Sequence, residues 1–168
     1  MIGSVFEGRN IWLALLDAGV WAAWSAIAGY IAHRLPVARL GRDGWLFRLR
    51  RQPARVARRY ERVLRIRRWK SLLPEAGDLF KGGFSKRRVS SHDRAYLERF
   101  IVETRRAELT HWMIMAAIPF FFLWNPWWLA LAMLAYGIVA NVPCLLVQRY
   151  NRARLLRMLE RAEAARAV

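Results

Sequence analysis

Glu108 and His111 stand three residues apart in the segment E-T-R-R-A-E-L-T-H-W, Glu103 to Trp112, where a charged helix runs into an apolar stretch. At helical spacing a carboxylate reaches an imidazole one turn away. Such a contact fixes the ring's tautomer and prepares it as a general base. At about 100° per residue, Leu97, Ile101, Thr104, Glu108, His111 and Met115 share one stripe, while Arg106 lies opposite. The acid and the ring therefore face the interior with the apolar residues. Ionisable groups at this depth mark functional sites by default. A purely structural histidine bonded to Glu108 is the competing reading.

A second polar stripe lies downstream. Gly137, Asn141, Cys144, Gln148 and Arg152 recur at steps of three or four within an otherwise apolar run. Amides inside a bilayer either bind helices together or line a cavity. Pro143 frees the carbonyl of Val139, so a kink is expected beside Asn141, opening space there. Glu108, His111, Asn141, Gln148 and Arg149 enter from the same end of their helices, with His33 a further candidate. A metal site is not expected, because no H-x-x-x-H or H-E-x-x-H spacing accompanies these histidines.

The elements that must hold these groups follow from hydropathy. The chain has 168 residues, 56% of them hydrophobic, and a net charge of +17. This combination is foreign to a small soluble domain. The two properties are segregated: spans are expected at about 11–33, 109–124 and 127–148, each close to the length that crosses a roughly 30 Å hydrocarbon core. The first is expected to be a retained anchor, since Glu7 offsets Arg9 ahead of an apolar run longer than a secretory signal's. Asp17, near the other face, is expected to bond a neighbouring helix or water. Nearly all Lys and Arg fall between Arg34 and Arg106 or after Gln148. That bias puts 34–108 and the tail 149–168 in the cytoplasm and the N-terminus outside. Trp12, Trp112, Trp124, Trp127 and Trp128 sit near run ends, as an interfacial belt requires. The lone Cys144 excludes an internal disulfide.

Between the first two runs, Val56, Tyr60, Val63, Ile66, Trp69 and Leu73 form an apolar stripe flanked by arginines, the pattern of an amphipathic helix lying on anionic lipid. A loop follows, with Gly82, Gly83, Ser85, Lys86 and Arg87 able to offer amides and charge to a phosphate, though without Walker spacing. Ser90 or Ser91 is expected to cap the next helix. No nucleic-acid motif accompanies the arginines, so no nucleic-acid partner is expected. The fold class is thus an all-α membrane protein: one domain of three transmembrane helices, an amphipathic interfacial helix and a basic cytoplasmic segment.

Three segments, R-R-W-K (Arg67 to Lys70), Glu103 to Trp112, and A-N-V-P-C-L-L-V-Q-R-Y-N-R-A-R-L (Ala140 to Leu155), resemble the small membrane glycosyl diaponeurosporenoate acyltransferases, which attach the fatty acyl group in the last step of staphyloxanthin-type carotenoid synthesis. The resemblance runs from about the amphipathic helix to the tail; the first span matches only in hydropathy. It implies an acyl donor and a glycosylated isoprenoid acceptor meeting at the inner face of a cell membrane that the chain crosses several times. On that footing His111 is the general base, Glu108 its orienting partner, and Asn141 or Gln148 an oxyanion donor. Gln148, Arg149, Asn151, Arg152, Arg154 and Lys86 are the expected substrate contacts, the arginines holding phosphates of a thioester donor such as acyl-CoA, with no other cofactor. Two alternatives stand beside it. One is a non-catalytic membrane protein that binds lipid or organises enzymes. The other is a different isoprenoid-lipid enzyme, which would want aspartate clusters for magnesium.

Overall fold

The computed structural model describes residues 2–41, 44–49, 52–73 and 93–166. Among these the chain is helical throughout: α1 (Ile2–Arg34), α2 (Val37–Leu40), α3 (Pro53–Val63), α4 (Ile66–Trp69), α5 (Arg94–Ala116) and α6 (Trp127–Arg166), with 3-10 turns at Lys70–Leu72 and Ile118–Leu123.

α1 stops where Leu35 precedes Pro36, because a residue before proline is pushed out of the helical region. Its terminal carbonyls do not go unmet. Arg106 donates to the carbonyls of Ala32, His33 and Leu35, and Arg105 to those of Leu40 and Gly41 at 2.9 Å each. Cations at helix C-termini satisfy orphan acceptors and complement the helix dipole. The arginine opposite the Glu108 stripe is thus the clamp that fastens α1 to α5.

α5 begins at Asp93, whose carboxylate accepts from the backbone N–H of Tyr96. Ser90 and Ser91, expected as caps, lie outside the described residues. α5 and α6 run antiparallel, with Leu97, Phe100 and Ile101 packed against Leu155 and an ion pair from Arg94 to Glu163 at 3.0 Å. Pro119 cannot donate its i−4 bond, and the chain tightens into the 3-10 turn before Asn125-Pro126 starts α6. The expected span at 109–124 is therefore the end of α5 joined to a 3-10 stretch. Two helices, over Asn10–Arg34 and Trp127–Ala164, are long and apolar enough to cross a membrane.

The amphipathic stripe expected to lie on lipid is broken and covered. α3 ends at Val63, and Arg65 adopts φ 47°, a left-handed conformation that turns the chain into α4. Trp69 Nε1 secures the turn by donating to the Leu64 carbonyl at 2.9 Å. Val56, Ala57, Tyr60, Ile66 and Trp69 then pack on Val147, Tyr150 and Ala153 of α6, leaving Val63 and Leu72 exposed.

At the other end of the bundle Trp21 stacks on Phe121 with ring centres 5.0 Å apart. Gly137 lies beneath: a Cβ there would meet Ile118 Cδ1 at 2.7 Å and Trp21 at 3.0 Å, so α6 passes this crossing only without a side chain. Asp17 is fully buried and accepts from Trp124 Nε1 at 2.9 Å and from Asn125 Nδ2 at 2.9 and 3.0 Å. It bonds the inter-helix turn, as expected of a neighbouring element. Pro143 lies inside α6, which continues through it to Arg166.

Candidate functional site

Asn141 is buried on the face of α6 that meets α5, and its Oδ1 stands 2.9 Å from His111 Nδ1. The amide's other arm decides the chemistry. Asn141 Nδ2 lies 2.9 Å from the Gly137 carbonyl, which can only accept, so the nitrogen must point there and the oxygen must face the ring. His111 therefore donates from Nδ1, and its basic lone pair is on Nε2. His111 is half-buried, and the bundle holds its ring. An orienting contact to the imidazole thus comes from Asn141, across the helix pair, while its Nδ2 donates to the Gly137 carbonyl.

Glu108 serves a different pair. Its Oε1 accepts from Arg149 Nε and its Oε2 from Arg152, both at 2.6 Å, and the carboxylate is fully buried. Two cations on one anion leave a surplus of positive charge, which the surroundings absorb. Arg149 and Arg152 donate to the carbonyls of Leu46 at 3.2 Å and Phe47 at 2.8 Å, and their guanidinium carbons lie 6.0 Å from the ring centres of Trp112 and Phe47. Charge-assisted bonds and aromatic faces compensate the lost hydration.

Arg149 and Arg152, expected to hold donor phosphates, are both engaged in this network. Arg152 has no exposed side chain, whereas Arg149 retains 33%. Arg154 is exposed, and Gln148 and Asn151 are half-buried on the same flank of α6 as Asn141 and Cys144. The Gln148 Oε1 is buried without a partner among the described residues, as is Trp112 Nε1. His33 closes α1, which Arg106 holds against the face of α5 opposite the Glu108 stripe. Lys86 lies outside the described residues.

Sequence reasoning missed the backbone carbonyls of Leu46 and Phe47, which close the arginine network from a segment with no recognisable motif. Lys70, in the R-R-W-K segment, has its Nζ 5.4 Å from the centre of the Tyr150 ring.

Residues 43–161 match the family model described as Glycosyl-4,4'-diaponeurosporenoate acyltransferase. A protein of that name from Staphylococcus haemolyticus is 38% identical over 96 residues, 57% of this chain and 56% of its own. Another, from Staphylococcus aureus, is 33% identical over 94 residues, 56% of each chain. The matched stretch thus spans little more than half the length of these relatives. No solved structure matches the chain.

Proposed function

Because the chain belongs to the glycosyl-4,4'-diaponeurosporenoate acyltransferase family, we propose that it is a membrane-embedded O-acyltransferase that esterifies a sugar hydroxyl of a glycosylated carotenoid acid with a fatty acyl group carried as a thioester. The hydrogen bond between His111 and Asn141 carries this reading, because it presents Nε2 as a base with its tautomer fixed. In the proposed reaction Nε2 takes the proton of the sugar hydroxyl as its oxygen attacks the thioester carbonyl. The tetrahedral intermediate collapses with cleavage of the C–S bond, and the imidazolium returns the proton to the departing thiolate. The products are an ester and a free thiol.

Arg149 supplies the electrostatic half. It is fixed through Nε on Glu108, one turn before His111 on α5, and on the Leu46 carbonyl, with part of its surface open. A preorganised cation stabilises the developing oxyanion without reorganising during the reaction. The proposed membrane placement has α1 crossing with its N-terminus outside and the α5–α6 hairpin entering and leaving on the cytoplasmic side, so that the site lies at the inner face.

The deciding experiment supplies the full-length chain in nanodiscs with a fatty acyl thioester and a glucosyl ester of a carotenoid acid, and follows acylated product by mass spectrometry. Product is expected from the wild type, and His111→Ala is expected to lower turnover by roughly two to four orders of magnitude. Near-normal turnover in a well-folded His111→Gln variant would remove the base assignment.

A further inference from the structure

Arg55, Arg58, Arg59 and Arg62 of α3 stand at i, i+3, i+4 and i+7, so they share one face of the helix, and all four are exposed. Ala57 and Tyr60, about half a turn away round α3, lie on the side that packs against Val147, Tyr150 and Ala153 of α6. The four guanidinium groups are therefore turned away from the bundle. Elsewhere on the described helices arginines meet acids: Arg94 pairs with Glu98 and Glu163, Arg106 with Glu103, and Arg149 and Arg152 with Glu108. None of the four on α3 makes such a pair among the described residues. Glu61, the one acid of α3, accepts from the Tyr150 hydroxyl at 2.6 Å. Like charges one turn apart oppose helix formation, and Arg55 stands one turn from Arg59, as Arg58 does from Arg62. An anionic layer against this face removes the repulsion.

Depth identifies the layer. The stretch of α6 that α3 covers, Leu146 to Ala153, is where the apolar run of that helix gives way to Gln148, Arg149 and Arg152. In the membrane placement proposed above α6 leaves the hydrocarbon there, so the arginine face of α3 looks into the headgroup layer beside it. Val63, one turn beyond Arg59, is 67% exposed and gives the face an apolar edge. Lipid phosphate above a hydrocarbon boundary matches that combination, whereas a soluble polyanion offers nothing to the valine.

We propose that the Arg55, Arg58, Arg59 and Arg62 face of α3 is a docking surface for anionic lipid headgroups of the inner leaflet. Lipid then holds α3 from outside while α6 holds it from within, and the stability of this end of the bundle depends on anionic lipid. The inference rests on the membrane placement and not on acyl transfer.

The test uses the full chain with Cys144→Ser and Gln52→Cys, which puts a fluorophore at the exposed residue preceding α3. The chain is placed in nanodiscs of neutral lipid carrying a trace of quencher on either phosphatidylglycerol or phosphatidylcholine. The anionic quencher is expected to act about fivefold more strongly, the local enrichment that a single arginine near an anionic headgroup produces. Combining Arg55→Gln, Arg58→Gln, Arg59→Gln and Arg62→Gln should abolish the preference, and Arg39→Gln, at an exposed position of α2, should leave it. The fourfold variant should unfold in neutral detergent at or above the wild-type temperature, and added phosphatidylglycerol should raise the wild-type midpoint more than the variant's. A lower midpoint for the variant in neutral detergent overturns the proposal, because it assigns the arginines to contacts within the fold. Equal quenching by both lipids in the wild type overturns it too, as does a preference that survives the fourfold change. Stabilisation of the wild type by heparin but not by phosphatidylglycerol assigns the face to a soluble polyanion and overturns it likewise. Absence of quenching by either lipid sinks the membrane placement and the inference with it, while ester formation, scored separately, decides the acyl-transfer reading.

Discussion

Glu108 of α5 and Arg152 of α6 meet at 2.6 Å with neither side chain exposed. Removing one charge therefore strands the other. Glu108→Gln is expected to destabilise the fold by about 3–5 kcal/mol, read as a lower midpoint of thermal unfolding in detergent. Pairing it with Arg152→Met should recover part of that loss, since the fully buried cation is then gone and the remaining one, Arg149, keeps 33% of its side chain exposed. A Glu108→Gln protein as stable as wild type but slow in turnover would instead return the carboxylate to a direct role beside His111.

Asn141→Leu should separate orientation from basicity. Without the amide the ring is free to exchange tautomers, so kcat is expected to fall roughly tenfold or more, by less than on loss of His111 itself. The acceptor KM should change little. An equal rise in the KM of both substrates would mean that Asn141 shapes the cleft more than it holds the ring.

Gly137→Ala places a methyl group within 3 Å of Ile118. Overpacking of this kind costs about 1–3 kcal/mol. Ile118→Ala in the same chain should relieve it, so the double variant ought to be more stable than the two single losses added together. Strict additivity would show that the α6 crossing is looser than the contact distances state.

The membrane placement is tested by thiol labelling in a Cys144→Ser background. Ser71→Cys, at an exposed position of the 3-10 turn after α4, should be labelled by an impermeant reagent only after the membrane is opened. Labelling from outside intact cells would invert the topology.

Periodicity located the helices that build the site. The spacing of Asn141, Gln148 and Arg152 put them on the face that meets α5, and the Glu108 stripe is the buried face of its helix. Partner choice was not legible. Spacing within one helix pairs Glu108 with His111, but an arginine reaches farther than one turn, and Arg149 and Arg152 cross from α6 to take both carboxylate oxygens. The same limit applies to α3. An apolar stripe records that something covers it, and lipid and α6 satisfy that pattern equally. Nor does any residue type announce the break at Arg65: a left-handed conformation is uncommon outside glycine, asparagine and aspartate, and here the packing of Ile66 and Trp69 on α6 imposes it.

α1 is fastened to the hairpin at two points, by Asp17 to the Trp124–Asn125 turn and by its terminal carbonyls to Arg106. From Asp17 to Ala32 the helix rises about 23 Å at about 1.5 Å per residue. α1 therefore serves as a ruler for the hairpin: the two fastenings hold the tip at one level along it, and the helix runs on past that level with Ile11, Trp12, Leu15 and Leu16 exposed.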